Sequence, residues 1–445
     1  MSELKTISRH AGTVLAGQLA TMAFGVTDTI VAGRYAESSL AALSVGAAIY
    51  MSVYVALIGV LQALLPVWAE LHGARRPIEV GRSLRQALYL CLIIMAVGMA
   101  ILLSPAPLLD WSEVPQTLRG EVLRYLAVLA LALPPALLFR LYSTLNQSLG
   151  KPLMVTWLQL GSLLIKIPLS IWLTFGGLGL EPQGLVGCAW ATLLVNYAML
   201  ALALWLLRTR PLYQPYRIWQ LPEKPDWRAI AAFARLGIPS GLAILVEVTS
   251  FTLMALFIAR LGTVAAASHQ IAANLAAVLY MIPLSIGIAT SARTSYWLGA
   301  ADSHQARKAV RLGFLLVLGC AVLMAGTLVL AREPLARLYA RSPEVIGLTV
   351  PLLLWIAAYH LFDGLQALGV FILRCYRITL APLIVYSVLL WGLGLYGGYL
   401  LAYQGVGPWP ALQTPAAFWM ASALALSLTA LIFWFMVWQV MRQEK

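Results

Sequence analysis

Apolar residues occur in twelve long runs along this chain, separated by short polar or proline-containing segments. A helix needs about 20 apolar residues to cross the roughly 30 Å hydrocarbon core of a bilayer. Each run reaches that length and several exceed it, so the pattern predicts twelve transmembrane helices, some of them tilted or extended. The predicted spans are residues 11–33, 41–69, 86–106, 121–145, 153–175, 184–207, 232–260, 266–297, 310–331, 346–373, 379–403 and 414–441.

Lysine and arginine residues are concentrated on one side of this predicted all-α bundle. They precede the first span and follow every even-numbered span, whereas the opposite loops contain acids such as Asp110 and Glu181. Because cytoplasmic loops of membrane proteins are rich in basic residues, we expect both termini to be cytoplasmic. The loop that contains Arg332, Arg337 and Arg341 departs from this pattern.

The chain is predicted to form two six-helix lobes joined by a polar linker. Residues 1–207 form the first lobe, residues 208–231 a cytoplasmic linker with four prolines, and residues 232–445 the second lobe. The stretch LPVWAELHGARRPIEVGRSLRQAL resembles SARTSYWLGAADSHQARKAVRLGF, and both follow the second helix of their lobe. Because six spans separate the two copies, the lobes have the same orientation, which predicts a pseudo-two-fold axis along the membrane normal.

Composition excludes several classes of protein. Hydrophobic residues make up 61% of the chain and charged residues only 11%, whereas a soluble domain has about 25% charged residues. The net charge of +13 follows from the basic cytoplasmic loops and gives no reason to expect nucleic acid. The four cysteines have no metal-site spacing, and no nucleotide-binding or hydrolase motif is present, so we expect a protein that is not an enzyme and has no cofactor.

Three acids lie inside predicted spans: Asp28, Glu247 and Asp363. Glu247 follows Arg235 by twelve residues and precedes Arg260 by thirteen, which places it roughly 18–20 Å from either charge, near the middle of the bilayer. An acid there costs on the order of 2.5–3.5 kcal/mol, and such residues usually bind a cation or a proton. The acids therefore predict an ion-coupled transporter, in which Glu247 and Asp363 hold H⁺ or Na⁺ between oxygen ligands.

Polar and aromatic residues near these acids are candidate ligands. Tyr359 precedes Asp363 by one helical turn and shares its face. The eighth span contains Gln270, Asn274 and Tyr280, and its Pro283 frees a backbone carbonyl. An aromatic face in this region favours an organic cation, so we expect these three residues of the eighth span to contact substrate.

Lys166, in the fifth predicted span, is as costly inside a membrane as Asp28 in the first. We expect the two side chains to form an ion pair, because each then neutralises the other. The alternative is that Lys166 extends its ammonium group to the membrane edge.

Four motifs of this chain resemble the multidrug and toxic compound extrusion family, and especially its NorM-like bacterial branch. They are VTDTIVAGR, LVEVT, AASHQIAANLAAVLYMIP and YHLFDGLQALGVFILRCYRIT, in the first, seventh, eighth and tenth spans. The resemblance covers the whole chain. It implies two six-helix lobes in a V around a central cavity, and export of cationic, amphipathic drugs against an inward flow of Na⁺ or H⁺.

The resemblance also implies roles for individual residues. Glu247 and Asp363 match the acidic cation-site residues, Tyr359 an aromatic beside them, Asp28 the acid of the N-terminal lobe, and Tyr280 and Gln270 positions implicated in cation or substrate contact. Lys166 departs from the family, which commonly has Asn there and a second Asn at the position of Ser170. We therefore expect coupling to depend on the C-terminal lobe alone.

These observations predict a monomeric, multi-pass antiporter of the bacterial plasma membrane. Its expected partners are small cationic drugs, membrane lipid and a monovalent cation. A second hypothesis is a flippase of lipid-linked or polysaccharide precursors with the same architecture, which would need basic groups for pyrophosphate. A channel is disfavoured because channels usually have a continuous pore lined by rings of filter groups. The residues suit Na⁺ and H⁺ equally.

Overall fold

The computed structural model describes residues 2–111, 116–177, 179–220, 223–408 and 410–443. Within these residues it contains no β-strand and twelve helices long and apolar enough to cross a membrane, which confirms the predicted number of spans. The helices are, in chain order, α1 (Glu3–Tyr35), α2 (Glu37–Gly73), α3 (Pro77–Leu103), α4 (Gln116–Ser148), α5 (Leu153–Phe175), α6 (Leu185–Thr209), α7 (Trp227–Ala259), α8 (Thr263–Gly299), α9 (Ser303–Leu330), α10 (Pro343–Cys375), α11 (Leu380–Gln404) and α12 (Pro415–Gln443).

Most helices extend beyond the predicted spans because polar turns continue them at one end. The 37 residues of α8 correspond to about 55 Å, well above the thickness of the hydrocarbon core. The polar start of α9 is capped, since the Asp302 carboxylate accepts a hydrogen bond from the backbone nitrogen of Gln305 at 2.9 Å. Helix α5 ends at Gly176, whose φ of 77° is a conformation that other residues rarely adopt.

The first compact unit comprises Ala16–Gly241. Its core forms where α4 packs against α2, α3 and α6, around fully buried side chains such as Trp68 and Leu133. The linker also belongs to this unit. The Glu223 carboxylate accepts a hydrogen bond from Arg85 at 2.9 Å, and Gln86 accepts one from the backbone nitrogen of Asp226 at 2.8 Å.

The second compact unit comprises Met1–Leu15 and Leu242–Lys445. Helix α10 is its centre and packs against α8, α9 and α12, while α11 packs against α12. The beginning of α1 is fixed to this unit by an ion pair. Arg293 donates to both carboxylate oxygens of Glu3, at 2.6 and 2.9 Å, and Trp297 donates to one of them at 3.1 Å.

The chain passes from one unit to the other twice, after Leu15 and after Gly241. The contacts of Glu3 assign the first turns of α1 to the second unit. The first turns of α7 belong to the first unit because Gly237 and Gly241 approach α2 closely, where any Cβ would clash with the backbone of Ala56 or Val60. Both transitions therefore lie inside continuous helices, α1 and α7, and outside the linker.

Candidate functional site

Helices α7 and α10 bring Glu247 and Asp363 together in the second unit. Asp363 is only 3% exposed and accepts a hydrogen bond from the Gln366 amide, one turn along α10, at 2.9 Å. Glu247 interacts electrostatically with Asp363 and also with Gln366. The two acids that the sequence predicts to hold the coupling ion thus form one cluster, linked by a side-chain amide.

Three tyrosines surround these acids. Tyr359 lies on α10 and packs edge-to-face against Phe251 and Trp419, with ring centroids 5.9 and 5.2 Å away. Tyr280 on α8 and Tyr386 on α11 both interact with the two carboxyl groups. The Tyr386 hydroxyl donates to Gln366 Oε1, which fixes the orientation of that amide.

A small cavity opens beside Glu247. Its volume is about 10 Å³, measured as the space open to the centre of a water molecule, and this is room for about one water. Drug-sized ligands require pockets of roughly 300–1,000 Å³, so the cavity suits an ion or a water but excludes a drug. Its polar lining consists of Glu247, Ser250, Tyr359 and Ser422, and its apolar lining of Phe251, Met254, Leu390 and Leu426.

Oxygen atoms dominate the polar groups of this cavity and of the acid pair behind it. No group of three His, Cys, Asp or Glu residues occurs anywhere in the described part of the chain. A transition-metal centre would need more such ligands, whereas hard monovalent cations and protons accept carboxylate and hydroxyl oxygens. The arrangement therefore fits Na⁺ or H⁺, with Glu247 and Asp363 as the charged ligands.

Arg374 supplies a positive charge to the cluster. The sequence predicts it as a cytoplasmic residue after the tenth span, but α10 continues to Cys375 and leaves Arg374 only 4% exposed. Its guanidinium lies 4.9 Å from the Phe371 ring centroid and interacts electrostatically with Glu247. Two of its nitrogens have no hydrogen-bond partner among the described residues.

Helical periodicity could have identified two of the residues near the acids that the sequence prediction missed. Positions 359, 363, 366, 370 and 374 follow one another at intervals of three or four residues and therefore share one face of α10. Gln366 and Arg374 could have been found on this face by extending it from Asp363. Tyr386 has no such signal, because α11 approaches α10 only through tertiary packing.

Helix α11 is wider than an α-helix near the acids. It is π-helical over Ser387–Tyr396 and again over Leu400–Gln404. Such segments are rare and occur frequently at functional sites. Trp391 in the first segment donates to the backbone carbonyl of Val246, next to Glu247, at 3.1 Å. The widened turn thus positions α11 directly against the acid-bearing part of α7.

The expected substrate residues of α8 do not lie together. Gln270 and Asn274 are exposed, and the Gln270 amide donates to Asn274 Oδ1 at 3.3 Å. Tyr280 is partly buried and interacts with the acid cluster. The structure therefore groups Tyr280 with the acids Glu247 and Asp363 and leaves Gln270 and Asn274 at a separate, exposed position on α8.

Asp28 and Lys166 form the ion pair that the sequence predicts in the first unit. Lys166 is fully buried, and its ammonium donates to Asp28 Oδ1 at 2.7 Å, to the Cys188 carbonyl at 3.0 Å and to the Thr192 hydroxyl at 2.7 Å. These three bonds use every donor of the ammonium group. Ser170 donates to the same Asp28 oxygen at 3.5 Å. The ammonium therefore already occupies the position where a cation would neutralise Asp28.

Comparisons with known proteins match this architecture over its full length. Residues 14–172 and 239–400 match the MatE family. The chain is 38% identical over 436 residues to a protein of Aromatoleum aromaticum named probable multidrug resistance protein NorM, covering 98% of this chain and 94% of the relative. It is 33% identical to the multidrug resistance protein PmpM of Pseudomonas aeruginosa, covering 97% and 90%.

Solved structures show the same fold at lower sequence identity. The MATE transporter VcmN of Vibrio cholerae, crystallised in a bent form, superposes with a TM-score of 0.86 at 18% identity and covers 100% of this chain and 98% of its own. The eukaryotic MATE transporter AtDTX14 superposes with a TM-score of 0.88 at 19% identity and covers 99% and 98%.

Proposed function

Because this chain belongs to the MatE family, we propose that it is a multidrug efflux transporter that exports cationic, amphipathic compounds in exchange for Na⁺ or H⁺. The observation that carries the proposal is the acid pair Glu247–Asp363 beside a cavity of about 10 Å³. Membrane-embedded acids are costly, and a cavity of this size accepts the coupling ion alone. The drug would therefore bind elsewhere and communicate with this site through protein conformation.

Coupling follows if the ion and the drug favour different conformations. An ion bound between Glu247 and Asp363 relieves their mutual repulsion and stabilises the conformation in which both acids lie close together. A drug that binds this conformation less tightly is released when the ion binds, and the coupling free energy is the difference between the two affinities. Helix α10 carries Asp363, Tyr359 and Gln366, so its movement would transmit ion binding to the other helices of the second unit.

The charge balance at both sites favours a cationic cargo over an anionic precursor. Lys166 is neutralised by Asp28, and Arg374 interacts electrostatically with Glu247. A flippase of pyrophosphate-linked precursors would need uncompensated basic groups at its binding site, which neither of these two clusters provides. We place the protein in the bacterial plasma membrane as a monomer with both termini in the cytoplasm, which is the orientation favoured by its basic loops.

Efflux of a fluorescent organic cation from proteoliposomes tests the proposal. We expect efflux to respond to an imposed Na⁺ gradient or to an imposed pH gradient, and Glu247→Gln to lower the gradient-driven rate at least about tenfold, because one charged ligand is lost. Glu333→Gln is the matched control, since Glu333 is exposed and pairs only with Arg337 one turn away.

Two results would contradict the proposal. One is gradient-driven efflux that survives Glu247→Gln together with Asp363→Asn but is lost with Asp28→Asn, which would move coupling to the first unit. The other is a parent protein that transports no cation under either gradient.

A further inference from the structure

A basic cavity lies between the start of α9 and the end of α12, within the second unit. Its volume is about 700 Å³. Among the residues that the structure describes, none that lines it is acidic. Five basic side chains and one tryptophan line it. They are His304, Arg307, Lys308, Arg311, Arg442 and Trp438.

The basic residues of this cavity lack the acid partners that several other cations of the protein have. Arg85, Lys166 and Arg293 each form a salt bridge. Among the described residues, none of the five basic groups of the cavity does. Lys308 interacts at longer range with Glu3, which is already paired with Arg293.

Arg307 provides a buried hydrogen-bond donor at this cavity. One of its terminal guanidinium nitrogens is buried and has no hydrogen-bond partner among the described residues. A buried donor left without an acceptor is destabilising. Guanidinium groups bind phosphate through paired, charge-assisted hydrogen bonds, so a phosphate group in the cavity would satisfy this donor.

The four basic residues that α9 contributes to the cavity lie on the same side of that helix. Positions 304, 307, 308 and 311 share a single helical face. From α12, Arg442 reaches the same cavity with its guanidinium held 3.7 Å above the Trp438 ring centroid. Tryptophan is enriched at the depth of lipid headgroups, which places this cluster at the membrane surface.

Both faces continue from the cavity into apolar, exposed surface. On α9, Arg311 is followed on the same face by Leu315, which is 65% exposed, and then by Leu318 and Val322. On α12, Trp438 is preceded on its face by Leu431, which is 62% exposed, and by Trp434. Inorganic phosphate makes no favourable contact with these apolar surfaces, whereas the acyl chains of a lipid would cover them.

We propose that this cavity binds the phosphate headgroup of an anionic phospholipid from the cytoplasmic leaflet. The headgroup contacts Arg307, Arg311 and Arg442, and the acyl chains lie along the exposed faces of α9 and α12. Basic pockets between transmembrane helices on the cytoplasmic side are suited to such headgroups. The site is separate from the acid cluster and is independent of which ion drives transport.

Calorimetric titration of the full-length protein in a neutral detergent tests this site. The probes are short-chain phosphatidylglycerol, short-chain phosphatidylcholine and inorganic phosphate. We expect phosphatidylglycerol to bind the parent and to bind the triple variant Arg307→Gln, Arg311→Gln, Arg442→Gln about a hundredfold more weakly, at about fivefold for each lost charge. The control removes the same charge from exposed residues outside the cavity: Lys151→Gln, Arg208→Gln, Arg228→Gln. It should change the affinity less than about twofold.

Each of the following three outcomes would contradict the proposal. Equal weakening in both triple variants would show diffuse attraction to the whole basic face. Phosphatidylcholine that binds as tightly as phosphatidylglycerol would show an apolar site. Inorganic phosphate that displaces the lipid at a similar concentration would identify a free-phosphate site. If the triple variant does not give a monodisperse protein, Arg442→Gln alone, in the last turn of α12, should weaken phosphatidylglycerol about fivefold.

Discussion

Lys166 shows how this protein holds a charge inside the membrane. Its ammonium has three donors, and Asp28, the Cys188 carbonyl and Thr192 accept all three. A buried ion pair contributes little compared with an apolar replacement of both partners, but removal of one partner leaves an uncompensated charge. The pair should therefore respond very differently to single and to double substitution.

We expect Lys166→Ala to destabilise the protein by about 3–5 kcal/mol, and the double variant Lys166→Ala, Asp28→Ala to be more stable than this single variant. The thermal unfolding midpoint, followed by intrinsic fluorescence, measures both effects. Simple additivity in the double-mutant cycle would show that the two charges do not stabilise each other in the membrane.

Arg374 illustrates a residue whose role depends on where its helix ends. The sequence pattern places it in a cytoplasmic loop, where an arginine carries little energetic penalty. Helix α10 continues past it, so the same residue becomes a buried neighbour of the acid pair. The positive charge limits the negative charge that Glu247 and Asp363 present to an incoming cation.

At the scale of single elements, α11 departs furthest from expectation. Its apolar run predicts an ordinary transmembrane helix, but ten of its residues, Ser387–Tyr396, are π-helical. The wider turn places Leu390 in the wall of the small cavity beside Glu247 and brings Trp391 into contact with Val246. Periodicity cannot reveal such a segment, because its stabilising contacts come from α7 and α12.

The bond between Trp391 and Val246 should position Glu247. We expect Trp391→Phe to cost about 1 kcal/mol of stability and to raise the concentration of coupling ion that gives half-maximal efflux. Trp157→Phe is the control, because Trp157 is 67% exposed on α5. Identical behaviour of the two variants in unfolding and efflux assays would remove the argument for a positioning role.

The linker is a second element whose contacts lie beyond local sequence. Glu223 accepts a hydrogen bond from Arg85 and forms a second salt bridge with Arg82, at 2.9 Å in each case. The Arg85 hydrogen bond, with the charge of Arg82, holds the pKa of the Glu223 carboxyl below its usual value of 4.5. The folded protein therefore prefers the charged form of Glu223.

This preference gives the linker contact a pH dependence. Because the folded-state pKa is lowered, the stabilisation is present above the unfolded value of 4.5 and disappears as pH falls through the folded value. We expect Glu223→Gln to lower stability by about 1 kcal/mol at neutral pH and to have no effect at a pH below both values. Thermal unfolding across this range measures the difference. A constant difference at every pH would contradict the role of the ionised carboxylate.

At the scale of the whole molecule, the chain forms two compact units whose membership does not follow chain order. The first turns of α1 belong to the second unit, where Glu3 bonds Arg293 and Trp297. Hydropathy predicts α1 as one helix of the first lobe, and nothing in its apolar pattern indicates where its polar end is anchored. Long-range pairing across 290 residues is set by packing.

We expect Glu3→Gln to loosen this anchor, because the Arg293 guanidinium loses its counter-charge. The cost is about 1–2 kcal/mol, and trypsin should cleave at Lys5 and Arg9 several-fold faster. Glu37→Gln is the control, since Glu37 is an exposed acid in the first turn of α2. Equal cleavage rates in the parent and both variants would show that the Glu3 contact does not hold the first turns of α1.

The sequence alone determined the class of the molecule. Twelve apolar runs fix twelve helices because each run is long enough to cross the bilayer, and costly acids at Asp28, Glu247 and Asp363 identify where charge must be compensated. Tertiary packing decided which groups compensate it. Asp28 meets an ammonium group, while Glu247 and Asp363 share Gln366 and three tyrosines beside a cavity with room for about one water. These contacts join helices far apart in sequence, so only the folded chain specifies them.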